Sequence, residues 1–224
     1  MKLNILYEDP QLLVCIKPAG TPTQSSRIRI PDMVSILKNH LYKSSPQKKY
    51  PYLAVIHRLD QPVEGLLVFA KTPDAAKNLS SQLQASGFHK QYIAILSSIP
   101  DKMEDNLVHY MIKDGRTNTS RICTQDTPDA KEARLHYRIL TAYGHLAAAE
   151  ITLDTGRHHQ IRVQMAAIGC PIEGDQKYGI SDAACRPGAQ LKLSARKLSF
   201  FHPTSGKRME FSYTPEFYKN FIKP

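Results

Sequence analysis

The four cysteines of this 224-residue chain, Cys15, Cys123, Cys170 and Cys185, share no close spacing. No Cys-x-x-Cys pair exists, so neither a zinc site nor a disulfide framework is indicated, and reduced thiols fit a cytoplasmic setting. No apolar run approaches the ~20 residues that a membrane helix needs. The first residues, Met1 to Asp9, lack the apolar stretch of a signal peptide. No internal repeat or low-complexity segment stands out. Acidic residues are in deficit: 20 Asp+Glu stand against 30 Lys+Arg, for a net charge of +10. That excess points to an acidic partner, of which nucleic acid is the commonest, although a basic protein with no such partner has the same composition.

What is present starts with apolar content. At 224 residues, 42% of them hydrophobic, the chain can build a proper core in one large domain or two small ones. Its most informative stretch runs from Leu53 to Lys71. Two short, branched apolar runs, each bounded by turn residues, read as buried strands. Between them lies a polar knot of His57, Arg58 and Asp60. A carboxylate beside a guanidinium stays ionised, because the positive charge lowers its pKa, and an ionised, partly desolvated carboxylate can act as nucleophile or base. An Asp two residues before a Pro is also ordinary turn chemistry, since its side chain can cap the local backbone. The residues by themselves leave both readings open.

Around this centre the pattern predicts strands over 3–7 and 12–16, then a loop forced by Lys17-Pro18-Ala19-Gly20-Thr21-Pro22. Met33, Ile36, Leu37 and Leu41 fall at helical spacing within 32–42. Residues 43–51 are polar and basic and read as a solvated loop. Thr72-Pro73-Asp74 is a helix start, with Ala76, Leu79 and Leu83 on one face and Gly87 at the end. A strand follows over 90–96, where Tyr92 alternates with apolar neighbours and reads as core. Residues 98–131 are turn-rich and poorly periodic and read as an excursion from a sheet. Two longer strands over 133–140 and 146–153 form a hairpin. Thr155 is expected to cap a helix with Ile161, Met165 and Ile168 on its buried side, on which His158 and Arg162, four apart, share a face. His158 and His159 are disfavoured as metal ligands, because adjacent helical residues diverge and no third ligand is suitably spaced. A strand over 191–198, a last strand over 209–213 and a short helix over 215–222 complete the expectation. Ser205-Gly206-Lys207-Arg208 is not a phosphate loop, because its first glycine would fall at Phe201.

Three ordered segments resemble the RluA-type pseudouridine synthases. The first is Lys17-Pro18-Ala19-Gly20 followed by His57-Arg58-Leu59-Asp60, Gly65-Leu66-Leu67 and Ala70-Lys71. The second runs from Thr155-Gly156-Arg157-His158-His159-Gln160-Ile161-Arg162 to Gly174-Asp175-Gln176-Lys177-Tyr178-Gly179. The third is Leu191 to Leu198, before Phe200-Phe201-His202-Pro203. The resemblance spans about residues 5–213.

It implies an α+β fold, a large mixed, mostly antiparallel sheet with a central RNA-binding cleft, in a single catalytic domain over 1–224. The strand-rich pattern with few helices agrees with that class. The implied reaction isomerises specific uridines in structured RNA, ribosomal or transfer, to pseudouridine. No cofactor or metal is implied, because the same atoms leave and return. In the family the residue at Asp60 is the catalytic carboxylate, that at Arg162 pairs with it, and that at Tyr92 contacts the base. Arg58 would meet a phosphate or the space vacated by the flipped nucleotide, and His57, Arg157, His159 and Leu193 are the further substrate-binding positions implied.

The family's frequent N-terminal RNA-binding module is expected to be absent, and the protein to be a cytoplasmic monomer that binds an RNA stem-loop and no membrane. RNA would then be found through phosphate contacts, with Lys48, Lys49, Arg116, Arg121, Arg196 and Lys197 as candidates. Val63 and Glu64 depart from the small hydroxyl residues usual after the Asp, and Gln164 stands where a His is common. Glu64 is expected to point away or to pair with a basic residue, since a second carboxylate in the cleft would raise the pKa of Asp60. Two other functions stay open: an RNA-binding protein with an inactive synthase fold, and a glycosidase-like hydrolase, which would normally use two working carboxylates.

Overall fold

Strand β2 (Leu12–Lys17) is buried at every position but Ile16, and strand β4 (Glu64–Ala70) is buried from Gly65 onward. Such continuous apolar runs need cover on both faces, and that need shapes the elements around them. The computed structural model describes residues 3–26, 30–45, 50–85, 87–179 and 188–223; Lys48, Lys49 and Cys185 lie outside them. Among the described residues there are eleven strands and four helices, and every strand pair with a defined register is antiparallel, an α+β architecture as expected. Contacts divide the chain into two compact units, residues 1–90 with 195–213 and residues 91–194 with 214–224.

In the first unit, β2 lies between β1 (Asn4–Glu8) and β4, with Leu12 opposite Ala70 and Lys17 opposite Gly65. The short β3 (Ala54–Val55) pairs with the far end of β4, and β10 (Leu193–Phe201) pairs with β11 (Arg208–Ser212). Helix α1 (Met33–Ser44) starts with a reciprocal cap: Asp32 accepts from the Ser35 N–H at 2.7 Å and its own N–H donates to Ser35 Oγ at 3.1 Å. Helix α2 (Pro73–Gln84) starts as expected, with Thr72 Oγ1 accepting the Ala75 N–H at 3.2 Å. It sets Ala75 and Leu79 into a core with Leu12, Val14, Leu66, Val68, Phe88 and Phe200. Gly65 has φ 125°, and a Cβ there would run into the Ala195 backbone, so the second residue of β4 sits at a position only glycine fits.

The second unit is an antiparallel sheet. Its strands are β5 (His89–Leu96), β6 (Glu104–Asp114), β7 (Thr119–Cys123), β8 (Lys131–Tyr143) and β9 (Leu146–Leu153), in the order β5-β9-β8-β6-β7. The chain passes between the units within β5, within β10 and between Tyr213 and Thr214. The segment read as an excursion is thus largely regular strand. Its period-two signal is weak because β6 buries only Leu107 and Met111 over eleven residues. Arg116 and Arg121 are exposed on and beside β7, Lys197 is exposed on β10 and Arg196 is half-buried there. Helix α3 (Gln160–Ala167) packs on β7, with Val163 against Met111 and Ala133. Helix α4 (Glu216–Ile222) sets Phe217, Tyr218 and Phe221 against Ile93, Ile95 and Ala148.

One helix start differs from expectation. Helix α3 is capped by His159 at φ 56°, not by Thr155. The Thr155 hydroxyl instead donates to Gln160 Oε1 at 2.8 Å and accepts the Arg134 N–H at 2.8 Å. His158 therefore precedes the helix and does not share a helical face with Arg162. Among the described residues no helix is long and apolar enough to cross a membrane.

Candidate active site

Asp60 sits half-buried at the head of a tight turn, whose Val63 N–H donates to the Asp60 carbonyl at 3.0 Å. The turn is stapled from the loop after β2. The Thr23 hydroxyl donates to the Leu59 carbonyl at 2.9 Å and accepts the Leu59 N–H at 3.1 Å. The Gly20 N–H donates to the Gln61 carbonyl at 2.9 Å, and Gln61 Nε2 returns a bond to the Gly20 carbonyl at 3.0 Å. Beneath them Lys17 is fully buried, and its Nζ donates to the carbonyls of Pro18 (3.0 Å), Thr21 (2.7 Å) and Gln61 (3.0 Å). Three acceptors match the three N–H groups of an ammonium. Burial pulls the Lys17 pKa down to about 7, against the charges of Asp60 and Glu64, which favour the protonated form. Glu64 thus acts on a basic residue, and it also accepts the Tyr213 hydroxyl at 3.4 Å.

The neighbours of Asp60 divide. Arg58 is exposed and donates from Nη2 to Gln24 Oε1 at 2.8 Å. His57 is buried, meets Phe88 edge-on at 5.3 Å and accepts the Val68 N–H on Nε2 at 3.4 Å. Burial, with some help from the Lys90 charge, pushes its pKa down to about 3. It is a neutral core residue packed between β4 and Phe88.

In the second unit Arg162 lies in the first turns of α3, 3% exposed. Its Nε and Nη2 donate to Asp175 at 2.8 and 2.7 Å, a bidentate pair with a carboxylate that is 0% exposed. Asp175 also accepts the N–H groups of Lys177 (2.9 Å) and Tyr178 (3.2 Å). Burial works against its charge, but Arg162 and these N–H groups outweigh burial and hold the carboxyl below the usual range. The Arg162 guanidinium lies 5.1 Å from the centre of the Tyr178 ring. The Tyr178 hydroxyl accepts the Ser120 N–H at 2.8 Å and forms a hydrogen bond with His159 Nδ1 at 2.7 Å. His158 stacks on His159 at 3.7 Å and bonds Ser120 Oγ at 2.9 Å. Burial, then neighbouring cations, pushes their pKa values down to about 4 and about 3, so both rings are neutral.

The other expected residues of this unit are also placed. Arg157 is exposed and donates from Nε to the Glu132 carbonyl at 2.8 Å. Tyr92 is buried on β5 opposite Ile151, and Leu193 is buried at the start of β10. Gln164 is buried and bonds the carbonyls of Leu107 and Ala133, tying α3 to β6 and β8. Sequence reasoning missed the work of Lys17, Thr23, Asp175 and Tyr178. The one local signal for Lys17 was a charge ending an otherwise apolar strand, and Asp175 stood within a matched segment without a role. Among the described residues no group of three or more His, Cys, Asp or Glu is placed to hold a metal.

Fold and site together define an α+β protein with a carboxylate turn in one unit and a buried arginine–carboxylate pair in the other. A family model described as RNA pseudouridylate synthase matches residues 11–167, which include the Asp60 turn and Arg162. The chain is 35% identical over 213 residues to ribosomal large subunit pseudouridine synthase D of Nitrosomonas europaea, covering 92% of this chain and 60% of that protein. It is 33% identical over 221 residues to the protein of the same name from Xanthomonas campestris, covering 94% and 65%. Among solved structures, human RNA pseudouridylate synthase domain containing 4 shares the fold at a TM-score of 0.80 and 22% identity, over 96% of this chain and 90% of that one. The chain belongs to the RNA pseudouridylate synthase family, and it spans 60% and 65% of the length of the two curated relatives.

Two outcomes are expected from this geometry. Arg162→Met strands the Asp175 carboxylate without its partner and should cost about 3–5 kcal/mol of stability. Arg162→Lys should recover only part, since lysine keeps the charge but not the planar fork. Denaturant unfolding of the two variants measures this; an Arg162→Met protein within about 1 kcal/mol of wild type contradicts the pairing.

The second outcome concerns pH. His57, His158 and His159 stay neutral in the folded chain down to about pH 4 or below, whereas an unfolded His titrates near 6.5. Between pH ~6.5 and ~4 the unfolded chain binds protons that the folded chain does not, so stability falls as pH falls through that window. Thermal midpoints at constant ionic strength should drop steadily from pH 6.5 to 4.5; a flat series would show these rings to be solvated.

Proposed function

We propose that the chain converts specific uridines of structured RNA to pseudouridine, with Asp60 as the catalytic carboxylate. The observation that carries the reading is the Asp60 turn, held by a buried lysine inside the region that matches the family model. Both curated relatives act, by name, on the large ribosomal subunit, which favours ribosomal over transfer RNA as the substrate. The two units would act as one catalytic domain of a cytoplasmic monomer.

In the reaction the bond from the ribose to N1 of uracil breaks, the base turns, and a bond to C5 replaces it. A proton leaves C5 and one is gained at N1, so atoms balance without a cofactor. Asp60 serves as nucleophile or base, and Lys17 keeps negative charge at the turn tolerable. Asp175 takes two of the five N–H groups of Arg162 and so fixes the guanidinium, whose part in the reaction is the one the family resemblance implies. Tyr92 would contact the base, Arg58 and Arg157 phosphates, and His159 and Leu193 the sides of the nucleotide. A uridine within a stem must first be extruded, at a cost of a few kcal/mol, which favours loops and helix ends.

Asp60→Asn tests the assignment. On a ribosomal RNA fragment modified by the wild type, turnover should fall by about 10³-fold or more, while RNA affinity and thermal midpoint stay near wild type. Nucleoside digestion should show pseudouridine as the product. Near-normal turnover of the Asn variant would remove Asp60 from the chemistry. Release of free uracil with an abasic site would instead identify a hydrolase.

A further inference from the structure

Strand β4 has two ends. Gly65, opposite Lys17, lies at the end beside the Asp60 turn, and Ala70 and Lys71 lie at the other, about 20 Å away at ~3.3 Å per residue. At that far end the first unit has a recess of about 530 Å³ lined by Glu8, Leu41, Ser44, Tyr50, Tyr52 and Lys71, among others. That volume is ordinary for a small-molecule or single-nucleotide site. No part of the Asp60 turn lines it.

The chemistry of the recess is unusual for a solvated surface. Tyr50 is 75% exposed, Tyr52 46% and nearby Tyr42 41%. Lys38 Nζ stands 4.8 Å from the centre of the Tyr50 ring, and Lys43 is in the last turn of α1, next to Ser44. Among the described lining residues the one carboxylate, Glu8, is paired with Lys71, whose Nζ lies 2.9 Å from Oε1, and its Oε2 is hydrogen-bonded to His40 Nε2 at 3.0 Å. Its charge therefore does little to repel a phosphate, while the pair still offers an acceptor and a donor to the edge of a ring. Exposed aromatic faces with lysines around them fit a nucleobase and its flanking phosphates. A groove for an amphipathic peptide would instead present a continuous apolar stripe.

We propose that this recess binds an unpaired nucleobase of the RNA, stacked on Tyr50 or Tyr52 and flanked by phosphates on Lys38 and Lys43, about 20 Å from the reacting uridine. It would extend recognition beyond the flipped nucleotide and favour substrates whose fold places a single-stranded residue at that distance. The proposal rests on the RNA function given above.

The test uses the full chain with Tyr50→Ala, Tyr52→Ala and the double substitution, alongside Tyr50→Phe with Tyr52→Phe. Two RNAs are compared, a naked ribosomal RNA fragment modified by the wild type and a minimal hairpin that carries only the target loop. The double Ala variant should raise KM for the fragment about tenfold or more, leave kcat unchanged, and leave both constants unchanged on the hairpin. The double Phe variant, which keeps the ring faces, should behave as wild type. Photo-cross-linking of the fragment to wild type should label the peptide that holds Tyr50 and Tyr52. Unchanged KM on the fragment together with no cross-link would overturn the proposal. So would a defect confined to intact ribosomal subunits, which would make the recess a protein-docking site. If the wild type forms no pseudouridine in any RNA, the synthase reading fails, and the cross-link and fragment affinity still decide whether the recess binds RNA.

Discussion

A buried ammonium holds the carboxylate turn in shape. Lys17 ends the buried strand β2 and gives its three protons to carbonyls of Pro18, Thr21 and Gln61, the last from a segment 44 residues later. Taking a lysine out of water is costly, and the depressed pKa records that cost. Two effects offset it. Hydrogen bonds from a charged donor contribute more than neutral ones, and the carboxylates of Asp60 and Glu64 lie close enough to favour the charge. Removing the amine would leave three carbonyls without this donor and take away a buried positive charge that Asp60 and Glu64 act on, so the shape of the turn depends on this side chain.

The second unit solves a similar problem with different groups. Arg162 and Asp175 neutralise each other below the surface, and Tyr178 links that pair through its hydroxyl to His159 and Ser120. Chains of hydrogen bonds polarise and fix one another in a low-dielectric setting. The network also accounts for the left-handed backbone of His159, a conformation that costs on the order of 1 kcal/mol outside glycine: the ring bonds Tyr178 and stacks on His158, which keeps the residue there. The helix that carries Arg162 thus begins where tertiary contacts dictate, without a side-chain cap.

Legibility followed the range of the interactions. The start of α2 was readable because Thr72 and Pro73 act within one turn, and β8 because Ala133, Leu135, Tyr137 and Ile139 are buried at alternate positions. Strand β6 was not, since its partners on both sides supply its backbone bonds while few of its side chains are buried. The start of α3 was misread because Thr155 has the right chemistry for a cap but bonds Arg134 and Gln160 instead, 21 and 5 residues away. Asp60, Arg58 and Arg162 stood out as candidates only through the segments that resemble the family. The roles of Lys17 and Asp175 did not, because each depends on a partner distant in sequence, Gln61 for the one and Arg162 for the other. His57 looked like a site residue by its neighbours, yet its ring fills core space against Phe88.

The central claim is that this chain makes pseudouridine in RNA through Asp60. The most direct measurement is transcriptome-wide mapping of pseudouridine in cells that lack the gene, restored with wild type or with Asp60→Asn. The account predicts that at least one pseudouridine, in large-subunit ribosomal RNA, disappears on deletion and returns with the wild type but not with the Asn variant. An unchanged map after deletion, or full restoration by the Asn variant, would contradict it.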